Sequence, residues 1–102
     1  MGSKKARGKG TYLVERYWPG ISREQLADAE ERMRRAIREL AQGGMEIRIL
    51  SSTFIPTEEV VLTLFEAPHE QDVIEANRRS GVPFDRVQPV EVSQMQSGRG
   101  QK

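Results

Sequence analysis

At 102 residues, with 36% hydrophobic and 30% charged residues, the chain has the length and composition of one globular domain. It contains no cysteine, which excludes disulfides, thiolate metal sites and thiol catalysis and is consistent with a reducing cytoplasm. No apolar run approaches the ~20 residues that span a bilayer, and no apolar stretch follows the basic N-terminus. We therefore expect a cytoplasmic protein with neither a membrane anchor nor a signal peptide.

The two ends of the chain differ in composition from the middle. Both are rich in Gly, Ser and Gln, and we predict disordered tails at 1–10 and 94–102 around a domain at 11–93. The tails carry a group of basic residues, namely Lys4, Lys5, Arg7, Lys9, Arg99 and Lys102. A basic tail on a net acidic domain is able to contact nucleic acid, but such a tail more often only increases solubility.

The first half of the domain predicts a strand and then a long helix. Residues 11–18 (TYLVERYW) are rich in aromatic and β-branched residues and precede a Pro-Gly turn. Ser22 is a natural helix N-cap, and Gln25 completes a capping box. The helix ends at Gly43, and its apolar residues recur at helical spacing at Leu26, Ala29, Met33, Ala36, Ile37 and Leu40.

The second half predicts a hairpin, a helix and a last strand. Residues 45–54 and 60–66 have the composition of two paired strands. A helix follows over 69–80, and residues 85–92 form a strand. Because Pro89 cannot donate a hydrogen bond to a neighbouring strand, this last strand belongs at the edge of the sheet.

The predicted order β-α-β-β-α-β is that of the ferredoxin-like α+β fold, a four-stranded antiparallel sheet with two helices on one face. Its first and third strands are central. The third strand is apolar on both faces, with Val60, Leu62 and Leu64 on one face and Val61 and Phe65 on the other. Two helices cover only one face, so we expect the other face to be covered by a second copy of the chain in a homodimer.

Nucleic acid is not an expected partner, although RNA-recognition domains share this topology. Those domains carry a basic, glycine-containing and aromatic-rich third strand, whereas residues 59–67 read EVVLTLFEA. The arginines of the first helix alternate with acidic residues, which is typical of a solvated helix face. The sequence also contains no catalytic triad, P-loop or dinucleotide-binding motif, so no catalytic residue is predicted.

Two segments resemble a known family. "YLVERYWPGIS" and "FEAPHEQDVIEANRRSGVPFDRVQPVEV" are similar to a small bacterial family of single-domain proteins of unknown function. The resemblance covers residues 12–92 and implies a ferredoxin-like, dimeric protein, with nickel binding described for part of the family. The matching positions are Glu15, Arg16, Glu66, Ala67, Pro68, Arg79, Gly81, Pro83 and Asp85.

The only histidine of the chain, His69, allows two interpretations. It lies where the second helix begins, and so is either an exposed helix-start residue or a metal ligand together with Glu66 and Glu15. Glu15 lies among apolar residues of a central strand and needs a partner there: a metal, an arginine such as Arg48 or Arg79, or Tyr17 of a second copy. One imidazole with carboxylates suits nickel or another divalent ion, held weakly.

A third interpretation is a small-molecule pocket between the sheet and the helices, as in dimeric α+β-barrel proteins of the oxygenase or isomerase type. Tyr12, Tyr17 and Trp18 would line this pocket, and Glu15 would be its general base. Weak nickel or other divalent-metal binding by a homodimer is the leading prediction from the sequence. The pocket is the alternative.

Overall fold

The computed structural model describes residues 8–93, which form six elements in the predicted order. Their bounds are β1 Gly10–Tyr17, α1 Arg23–Gln42, β2 Arg48–Ile55, β3 Val60–Ala67, α2 Glu70–Ser80 and β4 Arg86–Val90. The predicted tails at 1–10 and 94–102 lie outside the described residues, except for residues 8–10, where Gly10 is already part of β1. Strand β2 begins at Arg48, three residues later than the sequence predicts.

The sheet is antiparallel with the strand order β2-β3-β1-β4, which confirms the ferredoxin-like α+β topology. Strands β1 and β3 are central, as predicted, and β2 and β4 are the edges. Pro89 lies opposite Tyr12 in edge strand β4, which is where the sequence predicts a residue without an N–H. Strand β2 has a register irregularity between Ile49 and Ser51.

Burial alternates along the central strands, because successive side chains of a strand point to opposite faces. Val14, Val61 and Phe65 are almost fully buried, and Val14 and Phe65 pack with residues of both helices in one core. Leu13, Leu62 and Leu64 occupy the opposite parity and are only half-buried. Both helices therefore cover one face of the sheet, and the apolar residues on the other face stay partly open to solvent. We call this second surface the open face.

Helix α1 begins as the sequence predicts. The Ser22 hydroxyl accepts a hydrogen bond from the backbone N–H of Gln25 at 3.1 Å, and the Gln25 side chain accepts one from the backbone N–H of Ser22 at 2.9 Å. This capping box satisfies two backbone donors that would otherwise lack partners. The buried residues of α1 are Ala29, Met33 and Ala36.

Helix α2 has His69 at its N-cap and ends at Gly81, whose φ of 74° favours a glycine. Its backbone lies close to β1, β3 and β4, whereas the longer α1 packs mainly against α2 and stands farther from the strands. This difference leaves a space between α1 and the β2–β3 side of the sheet. No helix within residues 8–93 is long and apolar enough to cross a bilayer.

Candidate functional site

The carboxylate of Glu15 lies on the open face and is held by edge strand β4. Arg86 donates to its Oε2 from Nε at 3.1 Å and from Nη2 at 2.8 Å, and the Gln88 side chain donates to the same oxygen at 2.6 Å. Arg86 is the direct neighbour of Glu15 in the β1–β4 register. The partner that the sequence requires for Glu15 is therefore Arg86, which was not among the partners proposed from the sequence.

Glu66 also lies on the open face, near the opposite end of the strands. It pairs across the hairpin with Arg48, whose Nε donates to Glu66 Oε1 at 2.8 Å. Glu66 is the neighbour of Thr11 in the β1–β3 register, four residues from Glu15. At the rise of an extended strand that spacing amounts to roughly 13 Å, so one ion cannot contact both carboxylates in this arrangement.

His69 occupies the N-cap of α2 with an extended backbone, and its imidazole makes no capping hydrogen bond. The side chain is exposed. Residues 8–93 contain no group of three or more histidine, aspartate and glutamate side chains placed to hold a metal ion. Because both predicted carboxylate ligands are bonded to arginines, the described residues of one chain do not fit a closed nickel site.

The three aromatic residues predicted to line a pocket separate in the structure. Trp18 lies on the helix side and lines the space beneath α1. Tyr12 packs against the core, and its ring lies over Gly10. Tyr17 is 60% exposed and shares the open face with Glu15. Tyr17 and Glu15 therefore do not face the space that Trp18 lines on the helix side.

The space between α1 and the sheet is a cleft of about 600 Å³. It exists because α1 rests on α2 rather than directly on β2 and β3. Its apolar wall combines residues of α1 with residues of the sheet, including Leu26, Met33, Ile37, Ile49, Val61 and Trp18. Ser52 and Thr63, whose hydroxyls lie 3.3 Å apart, contribute polar atoms on the sheet side.

Charged residues of the cleft are mainly arginines. Arg34 and Arg38 on α1, Arg48 on β2 and Arg16 on β1 all line it, with Glu30 as the acidic member. Arg16 differs from the others because it is only 4% exposed. The sequence places it on the same parity as buried Val14, which was the available signal that this arginine faces the helices.

Arg16 is held in place by the segment between α2 and β4. Its Nη1 donates to the carbonyl of Pro83 at 2.9 Å, and its Nη2 donates to Asn77 Oδ1 at 2.7 Å. Burial lowers the pKa of Arg16 to about 10, and the charge of Asp85 partly offsets that effect. The guanidinium therefore remains charged at neutral pH inside the protein.

Asp85 connects the same segment to the end of β1. Its carboxylate accepts a hydrogen bond from the backbone N–H of Tyr17 at 2.5 Å, and its own N–H donates to the carbonyl of Glu15 at 2.8 Å. Arg16 thus meets Pro83 and Asp85, which lie more than 60 residues later in the sequence, at one place. All three belong to the positions that carry the family resemblance.

The fold, and the hydrogen-bonded cluster around the buried Arg16, define a small ferredoxin-like α+β protein with a cleft on its helix side. The chain belongs to the family of SCO4226-like nickel responsive proteins, which matches it over residues 12–90. The match confirms the family resemblance seen in the sequence.

Among solved structures, the chain is similar to SCO4226 from Streptomyces coelicolor A3(2), known from a crystal structure. The two share 18% sequence identity and superpose with a TM-score of 0.69, over 82% of this chain and 99% of that one. At this identity the likeness shows the fold alone. No curated protein matches the chain.

Proposed function

We propose that this protein is a small-molecule-binding protein whose ligand site is the cleft between α1 and the sheet. The cleft itself carries the proposal. Its volume of about 600 Å³ lies within the roughly 300–1,000 Å³ typical of ligand sites, and a mostly apolar wall with few polar groups is also typical of them.

We further propose that the protein acts as a homodimer in the cytoplasm. The half-buried leucines of the open face support association with a second copy, since a sheet covered on one side only leaves them in contact with water. A chain without cysteine is consistent with a reducing compartment.

Replacing Ile37 with glutamate should weaken binding of a neutral apolar probe such as N-phenyl-1-naphthylamine. Ile37 lines the cleft, and removing its apolar contact costs ~1.5 kcal/mol, about a tenfold rise in Kd. Trp18 is the only tryptophan and lines the same cleft, so energy transfer from Trp18 to the probe reports occupancy.

Ala41→Glu is the matched control, because Ala41 is an exposed residue of α1 that does not line the cleft. It should leave the Kd of the probe unchanged. Absence of energy transfer in the unmodified protein, or equal Kd values for both variants, would contradict the assignment of the ligand site.

Weak nickel binding is the second candidate. The family description and the exposed imidazole of His69 support it. Of the two predicted carboxylates, Glu66 would have to exchange its arginine partner for the ion, which is a physical reason for low affinity.

In a calorimetric titration of tag-free protein with Ni²⁺, His69→Ala should lower the affinity about tenfold or more, because imidazole binds nickel better than carboxylates do. Glu75→Ala, an exposed substitution on the same helix, serves as the control and should change little. If nickel binds His69→Ala as tightly as the unmodified protein, His69 is not a ligand and is only the residue that begins α2.

A further inference from the structure

We infer that the cleft selects ligands with an apolar body and a single carboxylate, and that the guanidinium of Arg16 is the group that recognises the carboxylate. This inference rests on the proposed function and specifies its ligand class. It depends on three properties of the lining, which are the charge of its arginines, the hydrogen bonds of Arg16 and the nature of the wall around it.

The arginines of the cleft differ in how their charge is compensated. Arg34 lies 3.3 Å from Glu31 and 3.9 Å from Glu30, and Arg38 lies 3.5 Å from Glu31. Arg48 is paired with Glu66. These three side chains are more than half exposed, so water and their carboxylate partners already compensate their charges.

Arg16 is compensated less completely. The charge of Asp85 offsets the effect of burial on its pKa only in part, and neither of its hydrogen bonds goes to a carboxylate. It is almost completely buried, and both of its hydrogen bonds go to neutral oxygens, the Pro83 carbonyl and the Asn77 amide. A guanidinium carries more N–H donors than these two bonds use. A buried cation without a carboxylate in direct contact is costly, and a carboxylate entering the cleft would supply the missing charge in a geometry that suits a guanidinium.

The wall around Arg16 accounts for the rest of the ligand. Trp18, Ile37, Ile49 and Val61 offer apolar surface on both sides of the cleft, so the part of the ligand beyond the carboxylate is apolar. Glu30 is the acidic residue of the lining and disfavours a second negative charge. Aromatic and aliphatic monocarboxylates share this chemistry, and the experiment below separates them.

The test compares carboxylates with neutral molecules of the same shape. Quenching of Trp18 is followed with 1-naphthylacetate against its amide, and displacement of N-phenyl-1-naphthylamine is followed with decanoate against decanol. Each carboxylate should bind about tenfold or more tightly than its neutral partner, as expected for one buried charge-assisted contact. The pair with the larger ratio identifies the aromatic or the aliphatic class.

Arg16→Lys and Arg16→Gln should abolish most of this preference while leaving the affinity for the neutral molecules within about twofold. Arg35→Gln, an exposed change on α1 outside the cleft, should leave the preference intact. If the Arg16 variants do not fold, the preference for the carboxylate over its neutral partner is instead measured in the unmodified protein at low and high salt. A buried contact keeps its preference in high salt, whereas attraction by the exposed arginines loses it.

The outcomes separate the two proposals. If neither member of a pair binds, the cleft is not a ligand site and the proposed function fails. If both members bind equally, the proposed function stands and the inference is overturned. A preference that persists in the Arg16 variants, or that disappears in high salt, also overturns the role of Arg16.

Discussion

Leu64→Glu should convert a dimer of this protein into a folded monomer. Leu64 is the direct neighbour of Leu13 in the β1–β3 register, at the centre of the open face. A standard interface buries about 800 Å² on each partner, and an unpaired carboxylate in its middle costs several kcal/mol. Sedimentation at tens of micromolar protein should show the dimer for the unmodified chain and the monomer for the variant.

The folded state of the variant should persist, because Leu64 is only half-buried within one chain and a glutamate there reaches water. Phe65 is the contrasting neighbour. It is fully buried beneath the helices, so Phe65→Glu should unfold the domain rather than separate two copies.

Ala27→Glu adds the same charge to an exposed position of α1, away from the open face, and should not affect association. A monomeric unmodified protein, or a Leu64→Glu variant that remains dimeric, would show that the open face is not the dimer interface.

Asn77→Leu should reduce the free energy of unfolding by about 3 kcal/mol, because it removes an acceptor from a buried guanidinium. Asn77 is fully buried, accepts a hydrogen bond from Arg16 and donates one to the carbonyl of Val73 at 2.7 Å. Leucine has a similar size but neither function. Urea unfolding at neutral pH measures the loss.

Asn77→Asp separates the two roles, because aspartate keeps the acceptor for Arg16 and loses only the donor to Val73. It should therefore cost less than Asn77→Leu. With a pKa of about 10, Arg16 is charged at neutral pH. Its contribution to the free energy of unfolding therefore does not change with pH near neutrality. A loss below about 1 kcal/mol for Asn77→Leu would mean that Pro83 alone is sufficient to hold Arg16.

Much of the fold could be predicted from local patterns. The capping box at Ser22 and Gln25 depends on residues three apart, and its hydrogen bonds form as expected. Pro89 indicated an edge strand because the missing donor is a property of the residue itself. Val61 and Leu62 are consecutive apolar residues, which predicted that both faces of the sheet are apolar. Successive side chains of a strand point to opposite faces whatever its neighbours are.

The candidate site was less predictable, because it depends on which strands are neighbours and in what register. Glu15 clearly needed a partner, but Arg86 is 71 residues away and becomes its neighbour only through the β1–β4 pairing. The same holds for Arg48 and Glu66 across the hairpin. Once each carboxylate has an arginine beside it, the two acids and His69 no longer form one cluster in a single chain.

The sequence by itself determined the order of the elements, the ends of both helices, the central and edge strands and the family, since these depend on residue type, spacing and short-range hydrogen bonds. Only the tertiary structure decided that Arg16 is buried against Asn77 and Pro83, and that a cleft opens beneath α1. Both follow from how α1 and α2 rest on the sheet. That packing is a balance of many long-range contacts, which no local pattern in the chain encodes.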